Sequence, residues 1–331
     1  MPAPPRAPDS FIGILENIWW RLDNALDLDT IYWSAALGAA EALLCGTTAL
    51  IDHHESPSCI EGSLDAIADA CDMVGIRHSL CYGITDRWNN GSIHPTVESG
   101  GPMSEGARRG LAENERYLKS GRRGMVGVHA AFTCTDDTLE AAADLARRSD
   151  VGVHIHVAEG PDDKDAGARL EHLAQDDWLI VHAVHLDRPL RGTIAHNPRS
   201  NMNNGVGYAA PAGRTNRVIL GTDGIGADMP EEFRLAFVRH REHDISATPD
   251  AAWRWLYAGA EVFPEVLSDA VEWNHPEADD PWHVAFTPGL RARTVTIDGE
   301  VVVKDGVPTG FDIDEIRHKA RAAAARLHER L

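Results

Sequence analysis

The sequence has 331 residues, of which 43% are hydrophobic, enough for one large α/β domain with a sizeable core. Its formal net charge of −20 argues against a nucleic-acid partner and against an anionic membrane surface. The five cysteines are scattered and form no CxxC pair, the N-terminus lacks a signal-peptide layout, and no apolar run approaches 18 residues. These features predict a cytoplasmic protein without disulfides or membrane spans.

Two helices are predicted first, near residues 11–22 and 30–44, the second ending before Gly46. Strand-like and helix-like segments then alternate, which is typical of a parallel sheet covered by helices. Because the sequence contains no glycine-rich phosphate loop, it favours a TIM-like (β/α) barrel over a doubly wound sheet. Seven strands are predicted, near residues 47–53, 77–84, 125–132, 151–158, 178–184, 192–196 and 217–222.

The C-terminal part of the chain has a different pattern. Apolar and polar residues alternate across 295–303 around the Asp298–Gly299 pair, which predicts a β-hairpin, and a helix ends the chain. We therefore expect three segments: a (β/α) barrel over 1–264, a small β segment over 265–310, and a C-terminal helix over 311–331.

The stretch "VGVHIHVAEG" (151–160) carries the first indication of chemistry. Valine and isoleucine occupy its odd positions, whereas His154 and His156 occupy even ones, so the two kinds of side chain lie on opposite faces of a strand. In a barrel the apolar face packs under the helices, which predicts that both histidines point inward. Glu159 then follows at the C-terminal mouth, where barrel active sites lie.

Other predicted strands end in polar residues at the same mouth. Histidine and carboxylate side chains gathered there suit a divalent metal such as zinc, together with proton transfer. These residues are Asp52, His53, His54, His129, His182, His185, His196, Asn197, Thr222 and Asp223.

A histidine in a strand is more often a hydrogen-bonded structural residue than a ligand. We favour that structural role for His78, His154 and His185, and the two roles are balanced for His53 and His54. A functional role is favoured for four residues, because several strand ends would otherwise carry histidine or carboxylate groups at the same mouth by coincidence. That set is His156, Glu159, His182 and Asp223.

Four motifs in this order, "HIHVAE", "VHAVHL", "IAHNPRSNMNNGVG" and "LGTDGIGAD", resemble the amidohydrolase superfamily. They are most similar to its deaminase and chlorohydrolase branch, and within it to SsnA-like aminohydrolases. The resemblance covers nearly the whole chain. It implies a metal-dependent hydrolase that acts on a non-peptide C–N bond, with a small heterocyclic amine as the substrate to be deaminated.

The resemblance also implies roles for individual residues. His156 resembles a metal ligand, Glu159 the proton shuttle, and His182 the histidine that contacts the substrate or its tetrahedral intermediate. Asp223 resembles the aspartate that binds metal and takes the proton of water. Substrate contacts are expected from His129, His53, His54 and Asn197.

The sequence departs from this pattern before Phe11. The family's first barrel strand carries an HxH pair that supplies two metal ligands, and that pair has no counterpart here. We therefore expect an N-terminally incomplete barrel, and a hairpin that is a remnant of an accessory β-sandwich with one edge unpaired. Zinc is the expected metal, although iron or manganese suits the same ligands, and weak binding is expected from so few ligands.

Two functions are compatible with these observations. One is an aminohydrolase acting on a small heterocycle. The alternative is a truncated, non-catalytic amidohydrolase-like protein that serves as a binding or interaction module. In both cases exposed strand edges and barrel wall predict a homodimer.

Overall fold

Thirteen strands are present in the computed structural model, which describes residues 8–89, 92–93 and 96–331. They are β1 (Ala49–His54), β2 (Arg77–Tyr82), β3 (Trp88–Asn89), β4 (Ser92–Ile93), β5 (Val126–Ala130), β6 (Val153–Val157), β7 (Leu179–His182), β8 (Thr193–His196), β9 (Val218–Leu220), β10 (Ala270–Trp273), β11 (Ala292–Ile297), β12 (Glu300–Lys304) and β13 (Val307–Pro308).

Helices alternate with the barrel strands and also flank them. They are α1 (Phe11–Ile14), which continues through a π-helical turn (Leu15–Trp19) into α2 (Trp20–Ala25), then α3 (Leu28–Leu44), α4 (Ser63–Val74), α5 (Glu105–Lys119), α6 (Asp136–Ser149), α7 (Ala166–Leu170), α8 (Pro198–Asn203), α9 (Met229–His243), α10 (Pro249–Tyr257), α11 (Gly259–Val262), α12 (Pro281–Phe286) and α13 (Ile313–His328). Within the described chain, none of them is long and apolar enough to cross a membrane.

The seven predicted parallel strands lie side by side, which confirms the barrel-type α/β fold. β1 pairs with β2, and β5 to β9 pair in chain order, all of them parallel. Two parallel bridges, Leu80 to Gly124 and Ile84 to Val128, join β2 to β5. In the described residues the strand order is β1-β2-β5-β6-β7-β8-β9, and helices alone precede β1. β3 and β4 form a separate antiparallel pair.

The odd residues of β6 form part of the core. Val153, Ile155 and Val157 are fully buried in one apolar cluster with residues of α6, α9 and α10. The even residues His154 and His156 therefore face the other way, toward the barrel interior, as the strand period requires.

The later connections of the barrel are short. Residues 183–192 join the parallel strands β7 and β8, and no helix is described within them. The next connection contains α8, which has six residues and begins with Pro198, a residue suited to the first helical position. Residues 197–216 are rich in glycine, asparagine and proline, which are poor helix formers, and the helix is correspondingly short.

The C-terminal strands form one antiparallel sheet in the order β10-β11-β12-β13. The predicted hairpin is its centre, β11 and β12. Our expectation that one hairpin edge would be unpaired is wrong, because β10 pairs with β11 and β13 pairs with β12. Val295 and Val303 are buried against α3, α4 and α13, so the small sheet shares a core with helices beside the barrel. The proposed segment boundaries and the homodimer stay predictions.

Two glycines offer a matched test of the packing beside β6. A Cβ at Gly152 would lie 1.9 Å from the Asp177 carbonyl oxygen, whereas nothing lies within 4 Å of one at Gly38 on α3. We expect Gly152→Ala to lower the free energy of unfolding by at least about 2 kcal/mol, because backbone must move. Gly38→Ala should raise it by about 0.5–1 kcal/mol through helix propensity. Urea unfolding midpoints measure both, and equal effects would contradict the close approach.

Candidate active site and metal-binding residues

The mouth of the barrel contains several residues with left-handed backbone conformations. Ala158, His182, Ala183 and Asp223 have φ values of 48°, 71°, 53° and 54°. Each such residue costs of order 1–3 kcal/mol, and these conformations cluster at functional sites. The turns at the ends of β6, β7 and β9 therefore mark this mouth as the candidate site.

Glu159, His182 and Asp223 meet there, and their ligand atoms all lie within 4.8 Å of one another. The His182 Nε2 atom is 3.3 Å from Glu159 Oε2 and 3.7 Å from Asp223 Oδ2. The His182 Nδ1 atom is 2.8 Å from Asn201 Oδ1. With the Nδ1 proton donated to that oxygen, the Nε2 lone pair faces the two carboxyl groups. We call these three residues the acid cluster.

The two carboxyl groups of the acid cluster have pKa values shifted in opposite directions. Burial raises the pKa of Glu159. Burial also acts to raise the pKa of Asp223, but His182 and His156, with hydrogen bonds from Ser200 Oγ and the Gly224 N–H, outweigh it and lower that pKa. Two carboxyl groups whose pKa values are shifted in opposite directions suit the roles of one proton donor and one proton acceptor.

Both carboxyl groups remain accessible from the mouth. The side chain of Glu159 is 13% exposed and that of Asp223 is 29% exposed, whereas His182 is 1% exposed. The Asn204 side-chain amide donates to Glu159 Oε1 at 3.0 Å and holds the carboxyl group in place. The acid cluster is thus oriented by the protein and open to a small molecule.

A second group, which we call the histidine cluster, lies inside the barrel next to the acid cluster. It consists of His53 from β1 with His154 and His156 from β6, and one ligand nitrogen of each lies within 4.8 Å of the others. The His53 ring is 4.8 Å from the His154 ring and 4.6 Å from the His156 ring, centroid to centroid. The His156 and His182 rings are 5.5 Å apart, so His156 links the two clusters.

Hydrogen bonds and contacts engage the Nδ1 atoms of the histidine cluster. The His156 Nδ1–H donates to the His129 carbonyl oxygen at 2.7 Å. The Nδ1 atoms of His53 and His154 each lie 3.6 Å from Cys81 Sγ. The His53 Nε2 atom is buried and has no hydrogen-bond partner among the described residues.

This donor set fits a divalent metal. Burial lowers the pKa of His154 to about 3 and that of His156 to about 4, and it lowers the pKa of His53 well below its ordinary value. Neutral imidazole is the form that binds metal. The buried His53 Nε2 atom without a hydrogen-bond partner and the nearby carboxyl groups of Glu159 and Asp223 are further features of a candidate metal site in the described residues.

The predicted substrate-contacting residues fall in different places. His129 donates or accepts at Thr133 Oγ1, at 2.8 Å, and its ring lies 5.7 Å from that of His156. His54 contacts Ser56 Oγ at 2.8 Å and lies outside both clusters. Asn197 is buried, and its side-chain nitrogen is 3.4 Å from His182 Nδ1. It therefore contacts the edge of that ring opposite the two carboxyl groups.

Sequence reasoning missed several residues at the site. His154, for which a structural role is predicted, lies on the inward face beside His156, and that role stays a prediction. Ser200, Asn201 and Asn204 lie in the quoted "HNPRSNMNN" stretch but were given no role. All three contact the acid cluster through side chains of α8 or its end.

Comparison with known proteins points to one family. The model that describes the amidohydrolase family matches residues 8–256. A 5'-deoxyadenosine deaminase from Methanopyrus kandleri is 29% identical, with 93% of this chain and 78% of the relative covered. A 5-methylthioadenosine/S-adenosylhomocysteine deaminase from Desulforudis audaxviator is 28% identical, with 94% and 79% covered.

Two solved structures share the fold. An adenosine deaminase from Xanthomonas campestris with bound zinc has a TM-score of 0.78 at 19% identity, covering 98% of this chain and 81% of its own. The atrazine chlorohydrolase TrzN from Arthrobacter aurescens, complexed with zinc, has a TM-score of 0.71 at 20% identity, covering 95% and 82%. These two structures show a shared fold, whereas the family model and the deaminase relatives confirm the predicted resemblance.

Proposed function

The chain belongs to the amidohydrolase family, and we propose that it is a zinc-dependent deaminase of a small adenine nucleoside. The observation that carries the proposal is the acid cluster, in which the pKa of one carboxyl group is raised and that of the other lowered around a buried histidine. The histidine cluster beside it supplies metal ligands. The relatives described above are named as deaminases of adenosine derivatives, and on that basis we propose an adenine-containing substrate.

Hydrolytic deamination needs water to attack a ring carbon, a proton for the adjacent ring nitrogen, and a proton for the departing amine. A bound divalent metal lowers the pKa of water toward about 7 and so supplies the nucleophile. Asp223, ionised at neutral pH, accepts the proton that this water loses. Glu159, whose pKa is raised by burial, donates a proton to the ring nitrogen.

Two further steps restore the starting protonation. His182 lies beside both carboxyl groups, and we assign it the contact with the oxygen that is added to the ring carbon. Asp223 then returns its proton to the amino group, the C–N bond breaks, and ammonia leaves. Glu159 regains its proton from the added hydroxyl as the ring carbonyl forms, so atoms and charges balance.

His156 and Asp223 are the ligands that the family resemblance supplies. His156 fits this role because its Nδ1–H donates to the His129 carbonyl oxygen, the usual support of a metal-bound histidine. Zinc suits imidazole and carboxylate ligands best, and iron or manganese suits them as well.

An apolar wall beside the mouth supports a flat aromatic substrate. A Cβ at Gly160, next to Glu159, would lie 2.4 Å from the Phe11 ring, and one at Gly224, next to Asp223, would lie 3.7 Å from Trp19. The helical segment that contains α1 and α2 therefore lies against both sides of the acid cluster. Its aromatic rings offer a surface on which a purine can stack.

The test is ammonia release by the purified, zinc-supplemented chain. We expect turnover of 5'-deoxyadenosine, 5'-methylthioadenosine or S-adenosylhomocysteine, with the ultraviolet change that marks conversion of adenine to hypoxanthine. A chlorotriazine and cytosine serve as comparison substrates. Zinc-loaded protein that binds adenosines in calorimetry but releases no ammonia would refute the proposal and support the alternative of a non-catalytic binding module.

A further inference from the structure

We propose that the chain binds a zinc ion outside the barrel mouth, held by His275, Glu277 and His283. One ligand atom of each of these side chains lies within 4.8 Å of the other two. All three belong to residues 274–291, which connect β10 to β11, and none belongs to the acid cluster or the histidine cluster. This surface zinc site is therefore independent of the metal that the proposed deaminase needs.

The connection that carries the site is a loop with its two ends joined. The Asn274 N–H donates to the Arg291 carbonyl oxygen at 3.0 Å. In return, the Arg291 N–H donates to the side-chain oxygen of Asn274 at 3.1 Å. His275 comes directly after this pair of hydrogen bonds, so its backbone is fixed at the end of β10.

A capped turn sets the positions of the other two ligands. The Asp280 N–H donates to the Glu277 carbonyl oxygen at 3.2 Å, and Asp280 Oδ1 accepts from the His283 N–H at 3.1 Å at the start of α12. The next two residues of α12, Val284 and Ala285, are buried in the apolar cluster under the barrel. His283 is thus exposed on a helix whose opposite face is anchored in the core.

Thr287 determines which nitrogen of His275 faces the other ligands. The Thr287 hydroxyl donates its one proton to the His283 carbonyl oxygen at 2.7 Å. Its oxygen, 3.2 Å from His275 Nε2, therefore accepts from the ring, which places the proton of a neutral His275 on Nε2. A histidine that binds metal is normally supported in this way through its second nitrogen.

The remaining nitrogen of His275 points at a carboxylate. Its Nδ1 atom carries the lone pair of the neutral ring and lies 3.8 Å from Glu277 Oε2. A lone pair and a carboxylate oxygen that face each other are stabilised by a cation between them. The His283 ring, with its centroid 6.2 Å from that of His275, provides a third ligand on the same side.

The donor set favours zinc among the divalent ions. Two imidazoles and one carboxylate suit zinc and leave a fourth position for water, whereas calcium and magnesium prefer oxygen ligands throughout. Zinc with bonds of 2.0–2.2 Å needs its ligand atoms about 3.3–3.5 Å apart. The Glu277 side chain is 50% exposed and His283 is also exposed, so both can rotate inward without disturbing the core.

The first experiment counts zinc sites. The full chain is stripped with a chelator and titrated with zinc in competition with a fluorescent chelator, which gives the number of sites and their affinities. We expect His275→Asn and His283→Asn each to bind one zinc fewer than the unaltered chain. Thr287→Val, which removes only the supporting hydroxyl, should weaken the same site by roughly 10–100-fold.

The matched control is His172→Asn. His172 is exposed and belongs to none of the candidate clusters in the described part of the chain, so its replacement should leave the number of zinc sites unchanged. The same number of sites in the unaltered chain and in both His275→Asn and His283→Asn would overturn the inference.

A second experiment covers the case in which a variant does not fold. Amide hydrogen exchange of the unaltered chain is compared with and without zinc. Opening of residues 276–287 has to release the ion, so exchange there should slow by about 100-fold at a free zinc concentration of 100 times Kd. If His275 instead pairs as an imidazolium with Glu277 and no metal binds, zinc leaves the exchange of this segment unchanged and the inference is wrong.

These outcomes are separable from those of the proposed function. A chain that loses one zinc on His275→Asn yet deaminates no adenosine refutes the proposed function and leaves the surface zinc site standing. A chain that deaminates adenosines and binds as much zinc after His275→Asn as before does the reverse.

Discussion

Replacement of Glu159 by glutamine is expected to abolish measurable ammonia release while zinc stays bound. Burial raises the pKa of Glu159, which favours its proton-donating form, and its Oε2 atom lies 3.3 Å from His182 Nε2. Glutamine keeps the shape and the hydrogen bond from Asn204 but cannot transfer a proton. Loss of a general acid lowers the rate by roughly 10²–10⁴-fold. Steady-state kcat, with zinc content measured on the same sample, checks this.

A matched control is Glu261→Gln. This glutamate is 60% exposed and pairs with Arg217 on the outside of the protein. Its replacement should change kcat less than about two-fold, because surface ion pairs contribute little. If Glu159→Gln retained a rate within a few-fold of that control, Glu159 would not be the proton donor and the proposed mechanism would be wrong.

The fold could be predicted because the local pattern and the global architecture agree. Each barrel strand except β7 is a short apolar run followed by a helix, and this order has few arrangements other than parallel strands under covering helices. The inward direction of the His156 side chain could be predicted as well. Side chains of β6 alternate between its two faces, and the face opposite His156 is apolar.

The contacts between distant strands could not be predicted. β1 and β6 are separated in the sheet by β2 and β5, so His53 meets His154 across the barrel interior rather than along a ladder. Such a meeting depends on how strongly the sheet curves, and no residue spacing encodes that curvature. His154 was for this reason assigned a structural role, although it shares the inward face with His156.

The C-terminal strands show the same limitation. The Asp298–Gly299 turn identified the hairpin, because that pair favours the conformation a tight turn requires. The same kind of pair, Asp305–Gly306, precedes β13, but β13 has only two residues and so carries no strand pattern. β10 has four residues and no such pair beside it, so the sequence did not reveal that these two strands cover the edges of the hairpin. Short strands form where neighbouring backbone offers hydrogen bonds, and this depends on tertiary structure.

Arg87→Met is expected to cause the largest loss of stability, about 3–5 kcal/mol. Arg87 is fully buried after β2, and its Nη2 atom donates to Glu55 Oε1 at 2.6 Å. The guanidinium also lies 4.1 Å above the Trp20 ring. Burial and the Glu55 carboxylate raise the pKa of Asp23, and the guanidinium reverses only part of that rise. Without the arginine, the buried Glu55 carboxylate loses the cation that it pairs with.

A double-mutant cycle distinguishes charge from packing. Arg87→Met combined with Glu55→Gln should recover part of the lost unfolding free energy, because the stranded carboxylate is removed together with its partner. The control Arg109→Met breaks an ion pair with Glu61 whose side chains are 37% and 63% exposed, and it should cost less than about 1 kcal/mol in urea unfolding. Equal losses for the two arginine variants would contradict the assignment.

Arg87 contacts Glu55, which follows β1, and Trp20 in α2, so it attaches α2 to the ends of β1 and β2. Arg87→Met should therefore also raise KM for the nucleoside, because the apolar wall beside the acid cluster loosens.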